Sequence, residues 1–311
     1  MRLNDDGYVL ELPVVLGGQS FPVNLSLVVD AAMGPTLVDT GVPGLEEAIA
    51  AAMAEAGVGI EDLRRIVLTH QDIDHVGSLH ALAQASGARV LAHEVEAPFI
   101  DGSQQPRFAR PEVLERGPEF RPVVESLRPT PVDHTLTDGE RLDLAGGVRV
   151  VSTPGHTPGH QCLYLERSRT LIAGDALLAH GGCLHRPSPD FTMDLATAHE
   201  SVLKLAELDV RAIVCYHGGV VDDDTNGQLR RLAAAVGVAA GRRGDTGRTR
   251  QRPPACLDWF YRSTTNGLPQ PETAKVHPLD GCYLRHPAHE LVRPNSNLVA
   301  LDASSHSVPA H

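Results

Sequence analysis

The sequence predicts a mixed α/β fold, and three observations predict it. Short apolar runs rich in Val, Ile and Leu recur along the chain. Ala-rich stretches with helical spacing of their apolar residues lie between several of them. Polar turns carrying His or Asp follow the strand-like runs, at the strand ends where α/β folds place functional groups.

Taken in order, residues 8–15 and 22–29 read as antiparallel strands joined at Gly17-Gly18. Residues 35–41 read as a strand ending in a polar turn that holds Asp39. Residues 44–56 have helical spacing and stop near Gly57. A buried strand over 65–69 feeds the run His70-Gln71-Asp72-Ile73-Asp74-His75, read as a loop, and a helix starts within 77–83. A short strand follows at 88–92. Residues 94–127 hold Pro98, Pro106, Pro111, Pro118 and Pro122 with little periodicity, and read as a lid-like, partly helical insertion. Strand signals resume at 141–144, 148–151, 161–165, 170–173 and 212–215, with helices over 197–208 and 229–240. Residues 242–311 are rich in Pro, Ser, Asn and Arg without a sustained period. They read as a disordered tail, so the expected organisation is a catalytic domain over 1–241 and a tail over 242–311.

The 311 residues are 42% hydrophobic, enough for a sizeable core, but only 4% aromatic, so aliphatic side chains must fill it. The net charge of -12 argues against a general affinity for nucleic acid or acidic membrane surfaces. A small-molecule substrate is the expected partner. Cys162 and Cys215 lie in apolar strand contexts and read as buried free thiols. No stretch approaches the roughly 20 apolar residues of a membrane helix, and residues 1–7 lack the apolar segment of a signal peptide. A cytoplasmic location is the expectation.

The run from His70 to His75 packs two imidazoles and two carboxylates into six residues. Charged groups seldom crowd together at a strand end unless they are paired or bind a metal. Three later segments repeat the form of strand followed by a polar turn. They are Gly155-His156-Thr157-Pro158-Gly159-His160, Gly174-Asp175-Ala176 and Tyr216-His217-Gly218. Each alone is weak evidence; the ordered set is strong.

With these residues in hand, the chain resembles the metallo-β-lactamase fold superfamily over about residues 8–240. Its signature is HxHxDH followed by a His, an Asp and a His. The Gly155 to His160 turn looks most like the glyoxalase II and lactonase branches. The resemblance implies a four-layer αββα sandwich with two divalent metal ions, zinc foremost, at one edge between the sheets. His70, Asp72 and His156 would hold the first metal and Asp74, His75 and His217 the second, with Asp175 bridging them. Asp39 matches an early Asp that would support the metal loop from behind, and His160 would stand behind the ligands or face the substrate. The implied activity is that of a metallo-hydrolase, in which a hydroxide bridging the metals attacks a small ester, thioester or lactone. Asp74 would orient that hydroxide.

One position departs from the pattern: Asp72 stands where the family most often has His. A carboxylate hardens the site and blunts Lewis acidity, which brings iron or manganese into consideration beside zinc. It leaves open an intact binuclear site with altered preference, a site filled mainly at the second position, and a ligand acting through water. An iron-dependent redox enzyme and a non-catalytic binding protein are the competing functions. His80, His93, His134, His180 and His185 have no place in the signature; His180 and His185 read as part of a loop over 179–185, close after Asp175.

Overall fold

The computed structural model describes residues 1–16, 19–116 and 121–241. The Gly17-Gly18 turn and the 242–311 tail lie outside the described residues. Among the described residues, seven strands form one sheet in chain order. They are β1 (Arg2–Asn4), β2 (Gly7–Leu16), β3 (Gln19–Val28), β4 (Thr36–Val38), β5 (Arg65–Leu68), β6 (Arg89–His93) and β7 (His134–Leu136). β2 and β3 pair antiparallel, Gly7 opposite Val28, whereas β4, β5, β6 and β7 run parallel. A second sheet holds β8 (Arg141–Leu142), β9 (Val148–Ser152), β10 (Gln161–Leu165), β11 (Thr170–Gly174), β14 (Ala212–Cys215) and β15 (Gly219–Val221). Across that sheet the order is β15-β14-β11-β10-β9-β8. Between β11 and β14 in sequence lies a hairpin of β12 (Leu178–His180) and β13 (Cys183–His185).

Alternation along the strands sorts side chains into layers. Val38, Val67 and Leu91 of the first sheet meet Val150, Leu163, Leu165 and Ile172 of the second in one core between the sheets. Their neighbours Leu37, Ile66 and Val90 point the other way. They pack with Ile49 and Met53 of α1 (Glu46–Glu55), and with Leu79 and Leu82 of α3 (Leu79–Ser86), which follows the single turn α2 (Ile73–Val76). On the second sheet Cys162, Tyr164, Leu171 and Ile213 face outward. They are covered by Val202 and Leu205 of α7 (Leu195–Leu205) and Leu229 of α8 (Thr225–Gly241). The inward residues of α7 are Ala198, Ser201, Val202 and Leu205, the spacing of one helical face. The layers therefore run helix, sheet, sheet, helix. Cys162 and Cys215 are free and buried.

The insertion at 94–127 is helical in pieces: α4 (Ala97–Ile100), a 3-10 turn at Arg107–Ala109, α5 (Pro111–Arg116) and α6 (Arg121–Ser126). Among the described residues no helix is long and apolar enough to cross a membrane. Two expectations are corrected. The His70 to His75 run is not all loop, because the Asp72 carbonyl accepts the amides of His75 and Val76 and starts α2 there. Residues 178–185 form a hairpin, with Gly181 and Gly182 both at positive φ in its turn, rather than a loop.

Candidate metal centre

The site stands where the strands end. Asp39 follows β4, Thr69 and His70 follow β5, His156 lies in the turn after β9, Asp175 follows β11 and His217 follows β14. The two sheets are stitched together here: the Gln161 amide donates to the Thr69 carbonyl (3.0 Å), and the Gln161 side chain donates to the Leu68 carbonyl (2.9 Å). Two glycines permit the close packing. A Cβ on Gly155 (φ 130°) would lie 2.2 Å from the Ala198 amide nitrogen at the start of α7, and one on Gly174 (φ 50°) 2.7 Å from His160 Nε2.

The donor atoms converge in two trios, each with its atoms within 4.8 Å of one another: His70, His156 and Asp175, and Asp74, His75 and His217. Asp72 adjoins the first, its Oδ2 3.4 Å from His70 Nε2 and 3.1 Å from His156 Nε2. Asp175 spans both. Its Oδ1 is 3.3 Å from His75 Nε2, and its Oδ2 is 3.5 Å from His156 Nε2 and 3.6 Å from His217 Nε2. In the second trio, Asp74 Oδ2 lies 3.2 Å from His217 Nε2 and 3.8 Å from His75 Nε2. Four donors held at about 2.0–2.1 Å around a tetrahedral ion stand roughly 3.3–3.4 Å apart, so these separations fit cation sites. The buried His70 Nε2, His75 Nε2 and Asp175 Oδ1 have no hydrogen-bond partner, although buried polar atoms normally find one. Nitrogen and carboxylate donors of this kind suit divalent metals.

Behind the donors, other groups set their orientation. Asp39 has φ 64°, a left-handed backbone that Asp tolerates, and the turn aims its carboxylate inward. Oδ1 accepts the Thr69 amide at 2.8 Å, and Oδ2 accepts His75 Nδ1–H at 2.9 Å, which turns His75 Nε2 toward the centre. His160 Nε2 accepts the Asp175 amide at 3.0 Å, so its Nδ1 carries the proton and donates to Thr153 Oγ1 at 2.8 Å. His160 therefore holds the backbone of Asp175 from inside. The fully buried Glu96 accepts the Gln71 amide and side chain and, at 2.7 Å, the Gly159 amide, tying the first motif to the second. The Tyr216 hydroxyl donates to the Asp74 carbonyl.

The charges are strongly coupled. Burial would raise the Asp175 carboxyl, but His217, His75 and His156 hold it well below the usual carboxylate range. Burial would push the His75 imidazolium down, yet Asp39, Asp74 and Asp175 hold its proton well above the ordinary histidine value. His217 is raised likewise, against burial, by Asp175 and Asp74. Burial pushes His156 down, and burial together with His70 and His156 pushes His160 well down. Asp72 is opposed by burial but lowered well below the usual range by the Arg107 guanidinium.

The structure thus brings together all seven residues read as ligands, with Asp39 and His160 directly behind them. His93 and His134 are engaged elsewhere, with Ser152 and Glu140. Sequence reasoning did not single out Arg107 or Glu96. Glu96 carried no signal. For Arg107 the signal was indirect, since an additional carboxylate in a metal cluster calls for a cation.

The family model described as the metallo-beta-lactamase superfamily matches residues 19–217. A probable metallo-hydrolase of Bacillus subtilis is 32% identical over 203 residues, 58% of this chain and 74% of that protein. A hydroxyacylglutathione hydrolase of Rhizobium meliloti is 27% identical over 185 residues, 56% of this chain and 59% of that protein. Among solved structures, a metallo-beta-lactamase family protein from Thermus thermophilus matches with a TM-score of 0.60 and 30% identity, covering 77% of this chain and 82% of that one. A subclass B3 metallo-beta-lactamase of Bradyrhizobium japonicum matches with a TM-score of 0.54 over 78% of this chain and 92% of that one; at 18% identity it shows the shared fold alone.

Proposed function

Because the chain belongs to the metallo-beta-lactamase superfamily, we propose that it is a binuclear metallo-hydrolase, with zinc foremost, acting on a small ester, thioester or lactone. The observation that carries this reading is Asp175. Its two carboxylate oxygens face imidazoles of both trios, at 3.3 Å from His75 and 3.5 Å from His156. One carboxylate shared between two nitrogen-rich clusters is what a pair of cations requires. His70, Asp72 and His156 would hold one ion and Asp74, His75 and His217 the other, with Asp175 common to both.

When bound, such ions supply Lewis acidity toward a carbonyl and acidify water at neutral pH. The chain's own residues supply the geometry. Asp74 would orient the attacking water; its side chain is 18% exposed, and its backbone is braced by Tyr216. His160 and Thr153 keep Asp175 from turning away. Glu96 holds Gln71 and Gly159 so that the first and second motifs stay in register. The likeness to hydroxyacylglutathione hydrolases supports an acyl substrate over a phosphodiester, as does the net charge of -12.

The test pairs elemental analysis of natively purified protein with a panel of lactones, thioesters, phosphodiesters and β-lactams. About two equivalents of metal and turnover of an ester, thioester or lactone are expected. His156→Ala and Asp175→Ala should abolish hydrolysis while far-ultraviolet circular dichroism stays that of the folded chain. Full activity in both variants would sink the reading.

A further inference from the structure

Arg107 is the strongest feature that the hydrolase reading leaves unused. It comes from the 3-10 turn at Arg107–Ala109, in the proline-rich insertion rather than in any of the ligand turns. The first motif grips it twice. Its backbone amide donates to Gln71 Oε1 at 3.0 Å, and its guanidinium takes both oxygens of Asp72: Nε donates to Oδ1 at 2.6 Å and Nη2 to Oδ2. Nη1 donates to the Phe191 carbonyl at 2.7 Å, and Nη2 lies 3.1 Å from His156 Nε2. The pair is largely withdrawn from water, with side chains 17% and 14% exposed.

A two-point contact of this kind fixes both the position and the rotation of a carboxylate. Each carboxylate oxygen has two acceptor sites, so Oδ2 keeps one after accepting from Nη2. That oxygen is also the one beside His70 and His156, at 3.4 and 3.1 Å. The charge count is equally direct. An imidazole ligand is neutral, Asp72 brings one negative charge, and a guanidinium brings one permanent positive charge. The Asp72–Arg107 pair together is as neutral as the histidine it stands in for.

Building on the binuclear reading above, we propose that Arg107 is a positioning residue that makes Asp72 the electrostatic equivalent of an imidazole ligand. It aims Oδ2 at the first metal and cancels the charge that would otherwise turn the site toward harder ions. Asp72 and Arg107 then form one functional unit, so changing either alone is worse than changing both.

The experiment compares the full-length wild type with Asp72→His, Arg107→Gln, Arg107→Lys and the double variant Asp72→His/Arg107→Gln. It measures zinc affinity by chelator competition and the preference for zinc over manganese. Asp72→His alone restores the common motif but leaves a buried guanidinium unpaired beside the ion. It should weaken zinc at the first position by about 10- to 100-fold, the range typical of altered outer-shell partners. Adding Arg107→Gln should return the affinity to near the wild-type value. Arg107→Gln alone should shift preference toward manganese, and Arg107→Lys, which keeps the charge, should not. Asp72→His binding zinc as tightly as the double variant would overturn the proposal. So would an unchanged metal preference in Arg107→Gln. Circular dichroism of the metal-free proteins checks folding; if Asp72→His does not fold, the contrast between Arg107→Gln and Arg107→Lys decides. Wild-type protein that takes up no metal overturns the binuclear reading as well, whereas two bound metals without the expected rescue overturn this inference alone.

Discussion

The half of the centre built from Asp74, His75 and His217 and the half built from His70, Asp72 and His156 neutralise their carboxylates by different means. In the former, the positive charge of the metal-free chain is carried by protons, because nearby carboxylates hold His75 and His217 above the ordinary histidine range against burial. In the latter, burial has pushed His156 down, and the positive charge is a guanidinium that does not titrate. On the binuclear reading, one half would exchange protons for a metal; the other has a permanent counter-charge supplied by a separate segment. The two halves meet in Asp175.

The largest effect should come from removing what the halves share. Asp175→Asn keeps the shape but takes away the charge facing His75, His156 and His217. Both metals should be lost together, and activity should fall by more than the roughly 100-fold that altered outer-shell partners cause. Elemental analysis after dialysis checks this. Retention of one full equivalent would show that the halves are independent and that Asp175 belongs to only one of them.

A narrower change should separate the halves. Asp39 contacts His75 of the second trio directly, and it reaches His70 of the first only through the Thr69 hydroxyl. Asp39→Asn should weaken metal binding at the second position by about 10- to 100-fold and leave the first position filled. The expected stoichiometry is one metal, measured by titration. Loss of both metals would mean that Asp39 braces the whole strand edge rather than one histidine.

Acidification should draw the same line. A metal must displace protons from His75 and His217, and their raised values mean that these protons persist to higher pH than on ordinary histidines. Affinity of the second position therefore rises with pH, and on acidification it is lost while the first position still holds its ion. Metal content followed from about pH 8 to about pH 5 should fall in two steps, with proton release on binding measurable in weakly buffered solution. A single step would break the contrast.

These differences bear on what the chain reveals before it folds. The strands were legible as apolar runs, and the layers came with the family resemblance. Val38 and Val67 face inward and Leu37 and Ile66 outward, but all four are apolar and buried, so the sequence alone does not separate the two faces. The candidate ligands were legible because each follows an apolar run, so local pattern and chemistry coincide at His70, His156, Asp175 and His217. Arg107 was not, because its partner Asp72 is 35 positions away and a three-residue turn has no period to read. The four-residue α2 was missed for the same reason of length. The hairpin at 178–185 did carry a signal, the Gly181-Gly182 pair, but its short strands hold too little alternation to reinforce it.

The smallest expected effect tests how the second half is braced. The Tyr216 ring stacks on His75, with centroids 3.8 Å apart, and its hydroxyl donates to the Asp74 carbonyl. Tyr216→Phe keeps the stack and removes the donor. One lost hydrogen bond, with a carbonyl left to find another partner, costs about 1–3 kcal/mol. In a folded body of this size that lowers Tm by roughly 2–4 °C per kcal/mol. Because the hydroxyl acts on the backbone behind Asp74, kcat should fall by a few-fold while KM stays near its wild-type value. A raised KM with an unchanged Tm would place the hydroxyl against the substrate instead. The second half would then be open on the side where the structure shows it held from behind.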